Sequence, residues 1–362
     1  MNIIKWKNIP ILLVYILIGC TSQHEETEAD LSFSKDAIYH FNKVALFKSK
    51  TVIPLETKDD ILIDRYPSLL LDEDFFIYSK KNGGKILRFD PNGKFKNSIG
   101  QVGSGPEEFV EATDINVDTE NKTIDILALN AIYEYTYTGD FINKIQIEQP
   151  AFSFYKESKE LYWLYVGNNV SYNDFRLFKV NDKDEILDSY LKNKYNLLPI
   201  SETNFHKTGD LLTFHESFNN DLYMIAEGNI KKVHTVSFGN MNLNLDNAPK
   251  DPIDFISYLN QNHYAMVRNY LENKNYIYLQ ISEHIPNSNE NKFYHWFINK
   301  KNHTNTIVEQ PANIPSDSYL YAPQVLTADN KLYFLGYILE KEDDEIIGEE
   351  NPSVVIVNIE NL

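Results

Sequence analysis

The feature that most constrains this chain is an internal repeat at fixed spacing. Asp72 and Asp118, Gly93 and Gly139, and Phe95 and Phe141 are each 46 residues apart. In the first copy Ser68-Leu69-Leu70-Leu71, Phe75-Phe76-Ile77-Tyr78 and Lys85-Ile86-Leu87-Arg88-Phe89 lead through the turn Asp90-Pro91-Asn92-Gly93 to Lys94-Phe95. In the second, Asp114-Ile115-Asn116-Val117, Thr123-Ile124-Asp125-Ile126-Leu127 and Ile132-Tyr133-Glu134-Tyr135 lead through Thr138-Gly139-Asp140 to Phe141-Ile142. A fainter third copy puts Leu187 in step with Phe141, just past the turn at 181–185. Short apolar runs rich in β-branched and aromatic residues, parted by Gly, Asp and Asn, read as strands and turns. Four strands recurring every 40–50 residues are the pattern of propeller blades. One such sheet cannot bury both of its faces, whereas a ring of them buries face on face and leaves only short edges.

The same grammar continues with drift. Leu211–Phe214, Leu222–Ile225 and Val233–Phe238 form one unit, and Tyr276–Ile281, Phe293–Ile298 and Thr306–Val308 another. Leu320–Leu326, Leu332–Leu339 and Val354–Ile359 form the last. Six units give roughly 53 residues per blade and seven give roughly 45, the latter nearer the repeat offset. The expectation is an all-β, six-bladed propeller of four-stranded antiparallel blades over residues 43–362, with seven blades as the alternative. Asp251–Asn262, with a proline near its start and apolar Ile253, Ile256 and Leu259, reads as a short surface helix or an ordered loop. Lys50–Leu55 precedes the first unit without a partner of its own. It is expected either to join the C-terminal sheet and close the ring, or to open blade one.

Cys20 is the only cysteine, and it ends an apolar stretch from Ile9 to Ile18 that follows Lys5 and Lys7. The stretch is shorter than the ~20 residues a membrane-spanning helix needs. Leu17-Ile18-Gly19-Cys20 resembles the lipobox of bacterial lipoproteins. The resemblance implies a signal peptide at 1–19, cleavage before Cys20 and a diacylglyceryl group on its sulfur, so that the membrane is a partner through the lipid anchor. The alternatives are an ordinary signal peptide cut elsewhere and a short anchor helix. Residues 20–42 then read as a polar, acidic tether with little to bury. Its acidic residues resemble the export signals of surface lipoproteins, or else form a plain solvated linker. The expected location is the bacterial cell envelope, at the outer membrane, facing the periplasm or the surface. With 52 acidic against 34 basic residues the net charge is −18. That charge repels phosphate backbones and anionic headgroups, which excludes nucleic acid and a purely electrostatic grip on a membrane.

Gly100-Gln101-Val102-Gly103-Ser104-Gly105-Pro106-Glu107-Glu108-Phe109 resembles the G-x-x-G-x-G-P-x-E-F segment of six-bladed β-propeller lipoproteins of gram-negative bacteria, which are similar to NHL-repeat propellers. Val52-Ile53-Pro54-Leu55-Glu56 and Phe89–Phe95 fit the same family. The resemblance implies the fold and an envelope location, with no settled activity. Glu111-Ala112-Thr113 stands where NHL units carry a proline, and no basic residue precedes the aromatic near Ile132-Tyr133. Both departures argue against RNA binding or protein docking of the NHL kind.

The glycine-rich segment is the leading site candidate. Gly103 and Gly105 would allow unusual dihedrals and close backbone approach. Ser104, Glu107 and Glu108 would meet a ligand at the mouth of a central channel. Two carboxylates there could hold a cation, with Ca²⁺ the candidate cofactor, or accept hydrogen bonds from sugar hydroxyls or ammonium groups. The competing reading is structural: the glycines turn the chain, Glu108 ties down loop amides and Phe109 fills a gap between blades. No metal signature exists among the nine histidines. His206 and His215 are nine apart, and no H-E-x-x-H occurs, though histidines from different blades could still meet. Asp182 and Asp184 lack the glycine and closing glutamate of a calcium loop and read as turn residues. No G-x-S-x-G elbow occurs. Trp163 and Trp296 could stack on sugars or pack between blades. The function expected is a binding or scaffolding module for a small ligand, glycan, peptide or partner protein of the envelope. The alternative is an enzyme with its site at the channel, either a calcium-dependent lactonase or esterase, or a lyase.

Overall fold

The computed structural model describes residues 29–35, 38–40, 50–63, 67–79, 84–128, 130–197, 203–288, 291–310, 319–337, 341–342, 345–346 and 350–360. Cys20, the leader and the first part of the tether lie outside them. The described residues form six blades in sequence order, each built on four antiparallel strands. Blade 1 is β4 (Ser68–Leu71), β5 (Phe75–Ser79), β6 (Lys85–Phe89) and β7 (Phe95–Ile99). Blade 2 is β8 (Asp114–Asp118), β9 (Thr123–Ala128), β10 (Ala131–Thr136) and β11 (Phe141–Gln146). Blade 3 is β12 (Ser153–Ser158), β13 (Leu161–Tyr165), β14 (Phe175–Asn181) and β15 (Ile186–Lys192). Blade 4 is β16 (Phe205–Thr208), β17 (Leu211–Phe214), β18 (Asp221–Ala226) and β19 (Asn229–Ser237). Blade 5 is β20 (Tyr264–Glu272), β21 (Tyr276–His284), β22 (Asn291–Asn299) and β23 (Asn305–Gln310). Blade 6 takes β24 (Tyr319–Leu326), β25 (Lys331–Tyr337) and β28 (Ser353–Asn358) from the C-terminus, with the small hairpin β26 (Lys341–Glu342) and β27 (Glu345–Ile346) between the last two. Its outermost strand is β3 (Lys50–Pro54), from the other end of the chain.

Burial within each blade follows position. The second strands β5 and β9 are buried at every residue, because both faces meet a neighbouring blade. That is why they read as continuous apolar runs. The outer strands β11 and β15 are mostly exposed and correspondingly polar. Six hydrophobic clusters result, one between each pair of adjacent blades. Phe76, Tyr78 and Ile126 join blades 1 and 2; Leu127, Tyr162 and Leu164 join 2 and 3; Trp163, Leu177 and Phe214 join 3 and 4. Val236, Leu279 and Trp296 join 4 and 5, Tyr278, Phe297 and Phe334 join 5 and 6, and Phe89, Ile77 and Val354 join 6 back to 1. Trp163 and Trp296 are thus packing residues.

The ring closes where β3 lies antiparallel on β28, with Val52 opposite Val355 and Pro54 opposite Ser353. The buried amide of Asn351 fastens this seam. Its Oδ1 accepts from the Ile63 N–H at 2.7 Å, and its Nδ2 donates to the carbonyls of Glu56 and Ile61 at 2.8 and 3.0 Å. The six-blade count prevails over seven because the later units are long. Strands β20 to β22 have nine residues each, and α1 (Pro252–Gln261) is inserted before them. An Asp251 carboxylate accepting from the Ile253 and Asp254 N–H groups starts that helix.

The tether expected over 20–42 needs correction in its second half. β1 (Ala29–Ser32) runs parallel to β19, and β2 (Ile38–His40) runs parallel to β23, as fifth strands of blades 4 and 5. A segment with few apolar residues can still satisfy open sheet edges through its main chain, a gain that mean polarity does not reveal. Phe33 supplies the apolar anchor between the two strands. Its ring is 8 % exposed and lies 5.3 and 5.7 Å from Tyr294 and Trp296. Phe33→Ala is therefore expected to lower unfolding stability by about 3 kcal/mol in chemical denaturation. Removing the residues before Ala29 should leave it unchanged; equal stability of Phe33→Ala and the wild type would show that the strap does not pack.

Candidate functional site

The glycine-rich loop carries blade 1 into blade 2, and its parts hold one another. Gly103 N–H donates to the Phe109 carbonyl at 2.9 Å, and Phe109 N–H to that of Gln101 at 3.1 Å. Glu108 Oε2 accepts from the Gly105 N–H at 2.8 Å. Phe109 is buried in the cluster between blades 1 and 2. Neither Gly103 nor Gly105 has a positive φ. Gly100 does, at +73°, and a Cβ there would lie 2.7 Å from the Phe109 ring. At Gly103 an added Cβ would lie 2.0 Å from Glu108 Oε2, the end of a side chain that can rotate away. The loop is thus built from Glu108 and Phe109 inward, and Ser104 and Glu107 face solvent. None of Gly103, Ser104, Gly105, Glu107 and Glu108 lines the axial channel.

The channel is formed by the innermost strands, and all six blades contribute. It encloses about 530 Å³. Leu70 of β4, Asn116 and Asp118 of β8, Tyr155 and Lys156 of β12, His206 and Lys207 of β16, Leu271 of β20 and Gln324 of β24 line it. Strand alternation turns every second inner residue toward a neighbouring blade, so the wall mixes apolar and polar groups.

Lys156 is the electrostatic centre of this wall. Its buried ammonium lies 2.7 Å from Glu134 Oε1, 3.1 Å from Asp125 Oδ1 and 3.8 Å from Asp118 Oδ2. Burial works against the ammonium, but Asp125 and Glu134 outweigh it and the net shift of its pKa is upward. Burial also pushes the Asp125 carboxyl up, to about 7, while Lys156 pulls the other way. Asp125 is 1 % exposed, and its Oδ2 has no hydrogen-bond partner among the described residues. Asp118 is held below its ordinary value: burial raises it, but hydrogen bonds from the Asn121 side chain and backbone win. Asp114, at the other end of β8, is committed to Ser153 Oγ at 2.6 Å and the Phe154 N–H at 3.0 Å.

A second group runs from His206 on the channel wall back to His215, beside Tyr270 of blade 5. The rings of His206 and His215 stack at 6.0 Å with 21° between planes. Pairing Phe205 with Phe214 across the β16–β17 hairpin brings these histidines together, a relation that a spacing of nine does not announce. Among the described residues His206 Nε2 and both ring nitrogens of His215 lack side-chain hydrogen-bond partners, although the Arg268 backbone lies beside His215. Burial drives both rings down, His206 to about 3 and His215 to about 4. Burial likewise takes His295, whose Nδ1 is 2.8 Å from the Tyr278 hydroxyl, to about 4. Asp184 sits in a turn at φ +61° and accepts from the Glu148 N–H at 2.6 Å, as a turn residue. Among the described residues no three His, Cys, Asp or Glu side chains are placed to share a metal ion. No helix among them is long and apolar enough to cross a membrane.

These features define a six-bladed β-propeller whose axial channel is walled by polar and apolar residues alike. The chain belongs to the family described as a domain of unknown function, DUF4934, whose profile matches residues 29–361. That match begins at β1, where the described fold begins. A Bacteroides fragilis NCTC 9343 protein described as exported is similar at 15 % identity and a TM-score of 0.70, over 91 % of this chain and 99 % of that one. A member of the DUF4221 family from Bacteroides vulgatus ATCC 8482 is similar at 10 % identity and a TM-score of 0.54, over 86 % and 96 %. These likenesses concern the fold. No curated protein matches the sequence.

Two outcomes follow from the geometry. Gly100→Ala should cost about 2 kcal/mol or more in denaturant unfolding, since it combines a left-handed φ with a clash against a buried ring, whereas Gly105→Ala should cost well under half of that. The reverse order would contradict the loop geometry. Stability should also fall on acidification. Below about pH 6.5 the unfolded chain protonates His206, His215 and His295, while the folded chain keeps them neutral until pH 3–4. Asp125 acts oppositely over pH 4–7, because the folded state retains its proton, but three groups oppose one. The thermal midpoint should drop between pH 7 and 4, and His215→Leu should flatten the curve by about one proton, or ~1.4 kcal/mol per pH unit. An unaltered slope in His215→Leu would remove that histidine from the account.

Proposed function

We propose that this propeller is a lipid-tethered binding module of the bacterial cell envelope and that it takes a small polar ligand in its axial channel. The observation that carries the reading is the channel wall. Six blades converge on one cavity of about 530 Å³, in the range of small-molecule sites, and Lys156, Lys207, Asp118 and Tyr155 offer it donors and acceptors. The lipobox-like segment ending at Cys20 supports the tether, and the likeness to a protein described as exported is compatible with an envelope location. The resemblance to propeller lipoproteins of gram-negative bacteria points the same way. An enzymatic role as a calcium-dependent hydrolase or lyase receives less support. The buried carboxylates nearest the channel, Asp114 and Asp125, are engaged by Ser153 and Lys156 rather than grouped around a common point.

Two measurements test the reading. Cys20→Ser should move the protein from the membrane to the soluble fraction; retention on the membrane would refute lipidation. A thermal-shift panel of free amino acids, dicarboxylates and monosaccharides should contain a stabilising compound whose effect shrinks several-fold in Lys207→Ala, a change at an exposed lysine of the channel wall. A panel with no stabilising compound, or one unaffected by Lys207→Ala, would count against the channel as the binding site.

A further inference from the structure

A second cavity, of about 510 Å³, shares no residue with the axial channel. Strand direction locates it. The inner strands all start on one face of the ring, here the upper face, and the links between blades and the loops joining second to third strands open on that face. The cavity is walled by such segments, the β13–β14 loop at Asn168, the link after β15 at Lys194 and Tyr195, the β17–β18 loop at Phe218 to Asn220 and the link at Leu243 to Asp246, together with the adjoining ends of β14, β15, β18 and β20.

Its chemistry is that of amides, hydroxyl and carboxylate over an apolar bed. Phe218, Tyr223, Leu243 and Met266 supply the bed. Tyr195 donates its hydroxyl to Asp246 Oδ1 at 3.0 Å, which leaves the second carboxylate oxygen for a ligand. Asn244 Oδ1 accepts from the Asp246 N–H at 3.1 Å, which leaves its amide N–H groups to donate. Asn220 spends its amide nitrogen on Asn242 Oδ1 at 3.0 Å and keeps its own oxygen as an acceptor. The one guanidinium present, Arg176, is already neutralised by Glu216 at 2.7 and 2.9 Å. The exposed lysines Lys192 and Lys194 share the wall with the carboxylates of Asp221 and Asp246, so donors and acceptors of both signs surround the cavity, an arrangement suited to hydroxyl groups.

An independent observation lies on the loop that bonds to Tyr195 of the wall. Tyr172 is 82 % exposed, on a loop held in place by several hydrogen bonds. Asn193 Nδ2 donates to the Asn173 carbonyl at 2.7 Å, Ser171 N–H to Asn169 Oδ1 at 2.9 Å, and Val170 N–H to the carbonyl of Tyr195 itself at 3.0 Å. A bare aromatic ring on a fixed loop, tied to a residue of the cavity wall, is a platform for a flat apolar face and loses little freedom on binding. Sugars present both chemistries, hydroxyls around the ring edge and C–H groups on its faces.

We propose that the cavity between blades 3, 4 and 5 is a saccharide-binding site, with Asn220, Asn244 and Asp246 taking hydroxyls and Tyr172 stacking on an adjacent sugar ring. It is separate from the axial channel and does not depend on what the channel binds. The test is calorimetric titration of the full chain in detergent with maltohexaose, cellohexaose, xylohexaose and mannohexaose, and with hexa-alanine as a peptide probe. At least one hexasaccharide should bind with a Kd of about 1 mM or tighter. Tyr172→Ala should weaken that binding about tenfold with no change in thermal midpoint, since its side chain is almost wholly in solvent. The Asn244→Ala, Asp246→Ala double variant should abolish binding, and Lys207→Ala in the axial channel should leave it intact. No binding by any of the four sugars, binding insensitive to Tyr172 and Asp246, binding lost in Lys207→Ala, or competition by hexa-alanine would each overturn the proposal.

Discussion

The structure depends on a blade's inability to bury itself. A four-stranded sheet of this composition has two apolar faces, and each must meet a neighbour. The six hydrophobic clusters, one per junction, are that condition satisfied all the way round. A ring of identical junctions has no natural end, so the weak point is the place where the two chain ends meet. Here β3 completes the last sheet, Asn351 bonds across the seam, and β1 and β2 lie along the rims of blades 4 and 5. The N-terminal segment is therefore a circumferential strap. Phe33, wedged against Tyr294 and Trp296, converts a mostly polar stretch into part of the core.

How much of this was legible in the sequence depended on burial. Strands β5 and β9 are buried on both faces and stand out as unbroken apolar runs. The Gly93 and Gly139 turns between the third and fourth strands of blades 1 and 2, at φ +82° and +96°, made the 46-residue spacing visible. Of the two readings open for Lys50–Leu55 the structure takes the pairing with the C-terminal sheet, and of the two for 251–262 it takes the helix. The innermost strands of blades 4 and 5 escaped notice. One edge of β16 faces the channel, so its sequence Phe205-His206-Lys207-Thr208 carries polar residues where an apolar run would have marked a strand. β1 and β2 escaped because main-chain pairing leaves little trace in composition.

The same logic explains the site. Residues that look functional in a sequence, such as glycines beside carboxylates, were needed here to shape a junction: Gly100 clears the Phe109 ring and Glu108 holds the Gly105 amide. The groups that give the channel its electrostatics, Lys156 with Asp118, Asp125 and Glu134, come from three strands of one blade and the first strand of the next. No linear spacing announces them. Their burial couples charge to fold. Burial pushes the Asp125 carboxyl up to about 7 against the pull of Lys156, and burial also holds the stacked His206 and His215 uncharged. The channel wall is thus a stability element as well as a surface for ligands.

The central claim, a ring shut by its own N-terminal strand, is tested most directly by native-state hydrogen exchange at the seam. The account predicts that the amides of β3 and β28 exchange together, in the slowest class and through global unfolding. Rapid exchange of residues 50–54 while 353–357 remain protected would show that the last blade stands without its borrowed strand, and would contradict it.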